Sequence, residues 1–373
     1  MDSEALRFQK SAGVETDSAS RAASTPFPVI LTCVSRELHP RRTFRISRAR
    51  RTEVRNVFVR LERDGIAGYG EASPNSFYGE TWESVTERLE RARDFIGRLK
   101  VRSVEDIAAA WGNAWQLLAP SRAAQCALDV ALWDWFARRA GVSVSELIWK
   151  EPPQTVETFA TIGLSSAAEL AEKIEELRGF PRIKIKSDAD ASLQAVRQVS
   201  ESGPRIIAVD ANCAWSGLDL RVLSQNLAAL GVEFIEQPFP PAEDSAISAA
   251  GSCLPVMADE SCVEQDDVSR VLDGFGFAGF NIKLVKCGGL TPAVRMLKEG
   301  RARGKTVMVG CMLESSALIA AGAVIAQRTH YADLDGAWLI GDDPFRGWRF
   351  DHGTLHPPDG PGLGIEPNAG LFG

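Results

Sequence analysis

Residues 182–186 read RIKIK. In an extended strand, side chains alternate between the two faces, so Ile183 and Ile185 point one way and Lys184 and Lys186 the other. One reading is an edge strand with a wet face, on which both lysines are solvated. The other is an inner strand that ends at a functional site. The surrounding pattern bears on the choice. VETFATIG (156–163) comes before it, and RIIAVDAN (205–212), EFIEQPFP (233–240), PVMADES (255–261), GFNIKLVK (279–286), TVMVGCM (306–312) and HYADLDG (330–336) follow. Each is a short apolar run, and helical patterns separate them. Strand–helix alternation of this kind argues for parallel βαβ units. Eight such units make a (β/α)8 TIM barrel. A doubly wound sheet would want a glycine-rich turn of the G-x-G-x-x-G type after its first strand, and none stands there.

The chain ahead of the barrel has a different rhythm. VRNVFVRLERDGIAGYGEAS (54–73) alternates like a hairpin with Asp64-Gly65 at its turn. Helical patterns are expected from 80 to about 98, over 103–118 and over 121–140, the last ending at Gly141. The expected fold is therefore an α/β TIM barrel, in modified form, with an α+β capping domain. The expected division is a disordered or extended segment over 1–25, a cap over 26–150, a barrel over 151–335 and a segment over 336–373 that returns toward the cap.

Composition narrows the function classes. The net charge is -7 over 373 residues, so a basic nucleic-acid surface is not indicated. The apolar run ALIAAGAVIA (317–326) is too short to span a bilayer and reads as a buried helix. The N-terminus lacks the apolar centre of a signal peptide. Seven scattered cysteines without a C-x-x-C pair fit reduced thiols in the cytoplasm.

The chemistry-bearing residues fall at strand ends. Lys184 and Lys186 end the second strand, Asp210 and Asn212 the third, Glu236 the fourth, and Asp259 and Glu260 the fifth. Lys283 lies on the sixth strand, and Asp333 and Asp335 on the last. Taken singly, each acid could cap a helix or sit in a loop. Taken together, Asp210, Glu236 and Asp259 recur once per βα unit. In a barrel such ends converge on one mouth. Three carboxylates there make a hard, oxygen-only site suited to Mg²⁺. Lys186 and Lys283 lie on strands two and six, across that mouth from each other, so a substrate held between them would meet an amine on each face. Lys184 is expected to add positive charge near an anionic substrate.

The ordered set KIK, VDAN, IEQP, ADES and NIKLVKCGGL resembles the enolase superfamily, muconate-lactonizing-enzyme subgroup. The N-terminal unit, with its GYGEASP segment, is similar to that family's capping domain. Within the subgroup, GCMLESS (310–316) and YADLDG (331–336) resemble the dipeptide epimerases. The resemblance implies that Asp210, Glu236 and Asp259 bind Mg²⁺ and that Lys186 and Lys283 are the acid/base pair. It implies that Asp333 and Asp335 hold a dipeptide's free ammonium group. It implies proton transfer at the α-carbon of the C-terminal residue through an enediolate. Thr161, Cys311, Met312 and Glu314 are expected around the substrate, with Asn212 and Glu260 nearby. A small-molecule substrate and a homo-oligomer are the implied partners.

Substrate choice rests on two cap loops, RISRARRT (45–52) and SPNSFYGE (73–80). Arg48, Arg50 or Arg51 could pair with an acidic side chain, which favours Ala-Glu, with Arg51 the expected substrate-binding residue. Phe77 and Tyr78 could instead line an apolar pocket and favour hydrophobic dipeptides. An o-succinylbenzoate synthase or an N-succinylamino acid racemase would leave Asp333 and Asp335 unexplained. A barrel that binds without turnover would leave Lys186 and Lys283 unexplained. The four histidines, at 39, 330, 352 and 356, miss the strand-six and strand-seven catalytic positions that a histidine-based racemase needs.

Overall fold

The computed structural model describes residues 28–188, 192–203 and 205–373. The expected N-terminal extension, 1–25, lies outside the described residues. The cap is built on a three-stranded antiparallel sheet of Ile30–Leu38, Val54–Arg63 and Ile66–Ala72, with Val54–Arg63 in the middle. Asp64 and Gly65 both have positive φ (56° and 76°), the geometry a two-residue hairpin needs to match strand twist. A second small hairpin pairs Phe44–Ile46 with Ala49–Arg51.

The expected helix over 80–98 is in fact two, Trp82–Arg91 and Arg93–Gly97, broken at Ala92. Val104–Leu118 starts at a capping box in which Ser103 and Asp106 satisfy each other's backbone N–H groups. Arg122–Ala140 is capped by Ser121 and stopped by Gly141 in the left-handed region. This last helix is buried on nearly every side because the cap sheet covers one flank and the barrel the other. Asp129 on it accepts hydrogen bonds from Thr291 N (2.9 Å) and Thr291 Oγ1 (2.6 Å) of the barrel.

Glycine permits the close approach of sheet and helix. A Cβ on Gly70 would sit 2.1 Å from the Ala127 carbonyl oxygen, and one on Gly68 would sit 2.3 Å from Trp135 N. Backbone atoms cannot rotate out of the way. Gly70→Ala is therefore expected to lower stability by about 1–3 kcal/mol, the usual cost of overpacking. A urea midpoint equal to that of the parent chain would contradict this reading of the contact.

The barrel strands are Ala160–Ile162, Arg182–Lys186, Ile206–Asp210, Val232–Glu236, Val256–Ala258, Gly279–Lys283, Thr306–Gly310 and Tyr331–Asp333. They pair in sequence order, and every pairing is parallel. RIKIK lies between the first and third strands, so the edge-strand reading does not hold. The first and last strands are joined where Phe159 N donates to Ala332 O (2.9 Å) and Leu334 N donates to Thr158 Oγ1 (2.7 Å). The expected strand over 156–163 is divided at this seam. Val156–Glu157 pairs instead with Thr354–His356 of the C-terminal segment.

Helices follow the strands on the outside. One of them, Ser316–Ala326, is buried throughout, as its composition suggests. Among the described residues, no helix is long and apolar enough to cross a membrane. Inside the barrel, Phe159, Ala208, Phe234, Met257 and Met308 form a small apolar cluster of their own, closed off from the main core. Asp210, Glu236 and Asp259 stand one alternation further along the strands of Ala208, Phe234 and Met257. Inward-facing positions therefore change from hydrocarbon to charge toward the strand C-termini.

Candidate active site

Asp210 and Glu236 are the last residues of the third and fourth barrel strands, and Asp259 follows the fifth. All three are at most 1% exposed, and their carboxylate oxygens come within 4.8 Å of one another. A row of acids this close needs positive charge between its members. Four lysines supply it. Lys186 Nζ lies 2.6 Å from Asp210 at one end of the row, and Lys283 Nζ lies 2.8 Å from Asp259 at the other. Lys184 Nζ bridges Glu236 (3.2 Å) and Asp333 from below. Lys286 donates to Asp259 Oδ1 and to the Asp259 carbonyl, each at 2.6 Å.

The charges follow these contacts. Burial pushes the Asp259 carboxyl up, but Lys283 and Lys286 outweigh it and hold it well below the carboxylate range. Asp210 is likewise held low by Lys186 and Lys184 against its burial. Glu236, in the middle of the row, is pushed up to about 7 by burial and by the charge of Asp210. Burial opposes the charge on Lys184 and Lys283 as well, but the acids facing each lysine outweigh it and push its pKa up.

Above the row lies a cavity of about 470 Å³ between barrel and cap. Lys186, Lys283, Thr161, Asn212, Asp333 and Asp335 line its barrel side. Cys311 and Met312 form part of its wall, and the cap adds Arg51, Phe77 and Trp82 among others. Asp335 accepts a hydrogen bond from Thr161 N (2.6 Å), and burial together with Asp333 pushes its carboxyl up to about 7. Two inward lysines on strands four apart thus flank a buried acid row beneath a wall supplied by the cap.

Residues 166–371 match the model described as enolase C-terminal domain-like. Residues 29–149 match that of the mandelate racemase/muconate lactonizing enzyme N-terminal domain. The chain belongs to the enolase superfamily.

An L-Ala-D/L-amino acid epimerase from Maribacter is 36% identical over 335 residues, covering 89% of this chain and 97% of that protein. An enolase family member from Agrobacterium tumefaciens with homology to dipeptide epimerases, solved with sodium and L-Ala-L-Glu, is 32% identical. Its TM-score is 0.81, and the match covers 89% of this chain and 98% of that one. The dipeptide epimerase of Enterococcus faecalis, solved with Mg and L-Leu-L-Tyr, is 27% identical with a TM-score of 0.84, covering 91% and 99%. This enolase superfamily member is an isomerase of the racemase and epimerase kind.

Two residues lie away from where the sequence puts them, and a third is engaged by a neighbour. Lys184 does not reach the cavity. It is the deeper of the two lysines and is fully buried, committed to Asp333 and Glu236 rather than to a substrate anion. Glu314 stands behind the wall, accepting from Met312 N (2.9 Å), and burial with Glu71 nearby pushes it up to about 8. Arg48 does line the cavity, but its guanidinium is bound to Glu260 (2.5 Å) rather than free.

Other members of the network had no assigned part in the sequence reading. Asn281 donates to Glu236 (2.7 Å), and its place two residues before Lys283 on one strand was signal enough for an inward side chain. Lys286 follows the strand in a four-residue helix, where no periodicity marks it. Gln237 accepts from Asp259 N (2.8 Å) and donates to Ser261 (2.7 Å), so it orients the chain around Asp259. In the cap, Glu71 accepts from Asn56 (2.7 Å) and from Ser315 Oγ (2.5 Å), which docks the sheet on the seventh strand's loop.

Proposed function

We propose that this enzyme inverts the α-carbon of the C-terminal residue of a dipeptide, with Mg²⁺, by exchanging the α-proton between Lys186 and Lys283. The observation that carries the reading is the placement of these two amines. They line one cavity from strands four apart in an eight-stranded barrel, and they touch opposite ends of the acid row. Asp210, Glu236 and Asp259 would hold the ion; three buried carboxylates with oxygens within 4.8 Å of one another fit a hard divalent cation. Bound there, Mg²⁺ supplies positive charge to the substrate carboxylate as the α-proton leaves.

The remaining steps belong to side chains. One lysine, neutral, removes the α-proton, and the other, as ammonium, delivers one to the opposite face. Asp333 and Asp335 accept the dipeptide's free ammonium group, for which a buried site needs anionic acceptors. The bond from Lys184 fixes Asp333 in place, and the backbone of Thr161 fixes Asp335. Arg51 lines the cavity and has no ion-pair partner among the described residues, which favours an acidic C-terminal side chain of the Ala-Glu type. The Agrobacterium neighbour, which holds L-Ala-L-Glu, supports the same choice. The aromatic wall of Phe44, Phe77 and Trp82 favours a second reading, a hydrophobic dipeptide.

A dipeptide panel incubated in D₂O with Mg²⁺ and followed by NMR tests the proposal. Deuterium is expected at the α-carbon of the C-terminal residue, fastest with acidic side chains. Exchange confined to N-succinylated amino acids would overturn it.

A further inference from the structure

The two cap loops meet on one guanidinium. Arg48 sits in the turn of the hairpin that pairs Phe44–Ile46 with Ala49–Arg51. Its Nη1 donates to the Asn212 carbonyl (2.9 Å), which also accepts from Ser47 Oγ (3.3 Å). Its Nη2 lies 2.5 Å from Glu260 Oε1. Phe77, from the other loop, stacks on it with the ring centroid 4.4 Å from Cζ, and Tyr78 packs edge-on to Phe77.

The barrel side of this contact is unusual in two ways. The Glu260 side chain is fully buried, and neither of its oxygens has a hydrogen-bond partner among the described residues beyond the ion-pair contact with Arg48. Both anchors also adjoin the acid row. Glu260 directly follows Asp259, and Asn212 donates its N (2.9 Å) and Nδ2 (3.3 Å) to the Asp210 carboxylate. Asn212 and Cys213 hold positive φ (43° and 66°), a costly bend for two successive residues other than glycine. The hairpin's other ion pair, Arg45 with Glu169, is more than one-third exposed on both sides and holds little.

We infer that Arg48 is the latch that keeps the cap hairpin closed over the cavity, acting on Glu260 and Asn212 rather than on the substrate's side chain. Lifting the hairpin away leaves a buried carboxylate without its partner, so the closed form is favoured. Both Arg48 and Arg51 border the cavity. Arg48 is held by Glu260 and the Asn212 carbonyl, while Arg51 has no ion-pair partner among the described residues. Arg48 is thus a positioning residue that governs retention of any substrate. The kinetic part of this inference rests on the function proposed above; the structural part does not.

The test compares Arg48→Ala, Arg48→Lys and Arg51→Ala in the full chain. Hydrogen exchange of amides 44–51, measured with chelator present and no dipeptide, is expected to speed up by about tenfold to a hundredfold in Arg48→Ala, the range for a lost hydrogen bond to a charged group. Arg48→Lys is expected to restore part of the protection, and Arg51→Ala to leave it unchanged. In turnover, Arg48→Ala is expected to raise KM by a similar factor for acidic and apolar dipeptides alike, with kcat changed by no more than about twofold. Arg51→Ala is expected to raise KM for acidic dipeptides alone. Unchanged exchange in Arg48→Ala, or a KM penalty restricted to acidic dipeptides, would overturn the latch. If the parent enzyme turns over no dipeptide, the functional proposal falls, and the exchange experiment still decides the latch.

Discussion

Replacing either Lys186 or Lys283 by alanine is expected to stop epimerisation in both directions while leaving one-sided proton exchange. Inversion needs an amine on each face of the α-carbon, so losing one blocks the full conversion. The survivor still reaches the epimer whose α-proton points toward it. Lys186→Ala should therefore wash deuterium into one epimer without inverting it, and Lys283→Ala should do so for the other. Positioned acid/base groups contribute about 10²–10⁴ in rate. The loss of epimerisation should be at the upper end, because each lysine is at most 9% exposed and solvent has poor access to replace it. Chiral chromatography and NMR on the same D₂O samples separate exchange from inversion. A variant that epimerises at the parent rate would sink the two-base arrangement.

Removing divalent cations is the second large effect. Exhaustive chelation should lower turnover by about a thousandfold or more, since a bound cation gives several kcal/mol of charge stabilisation, and Mg²⁺ should restore it. The fold should survive the same treatment. Asp210 has Lys186 and Lys184, Glu236 has Lys184 and Asn281, and Asp259 has Lys283 and Lys286. Each acid keeps a partner, so none is left as a buried, uncompensated charge. Circular dichroism of the chelated protein should match that of the loaded one. Undiminished turnover after chelation would remove the cation from the scheme.

The barrel was readable in the sequence because its signal is periodic. Each strand is a short apolar run, and one inward charge recurs once per unit, so Asp210, Glu236 and Asp259 announce one another. Lys184 and Lys186 show the limit of that logic. Alternation puts both on one face, but only packing decides that Lys184 lies beneath the cavity and Lys186 within it. The long helix expected over 80–98 failed at Ala92, where the chain turns between two short helices without a glycine or proline to mark it. Arg48 and Arg51 could not be told apart by composition. Their separation depends on where a small hairpin lands, and that follows from contacts with Glu260 and Asn212 more than 150 residues away. Lys286 and Glu71 were hidden for the same reason, since their partners are set by the tertiary fold.

The hydrocarbon floor of Phe159, Ala208, Phe234, Met257 and Met308 gives the barrel a blind end. With hydrocarbon packed at that end, the cavity opens at the other, beneath the arginine-rich hairpin of the cap. Whatever controls that opening sets how long a captured molecule dwells above the acid row.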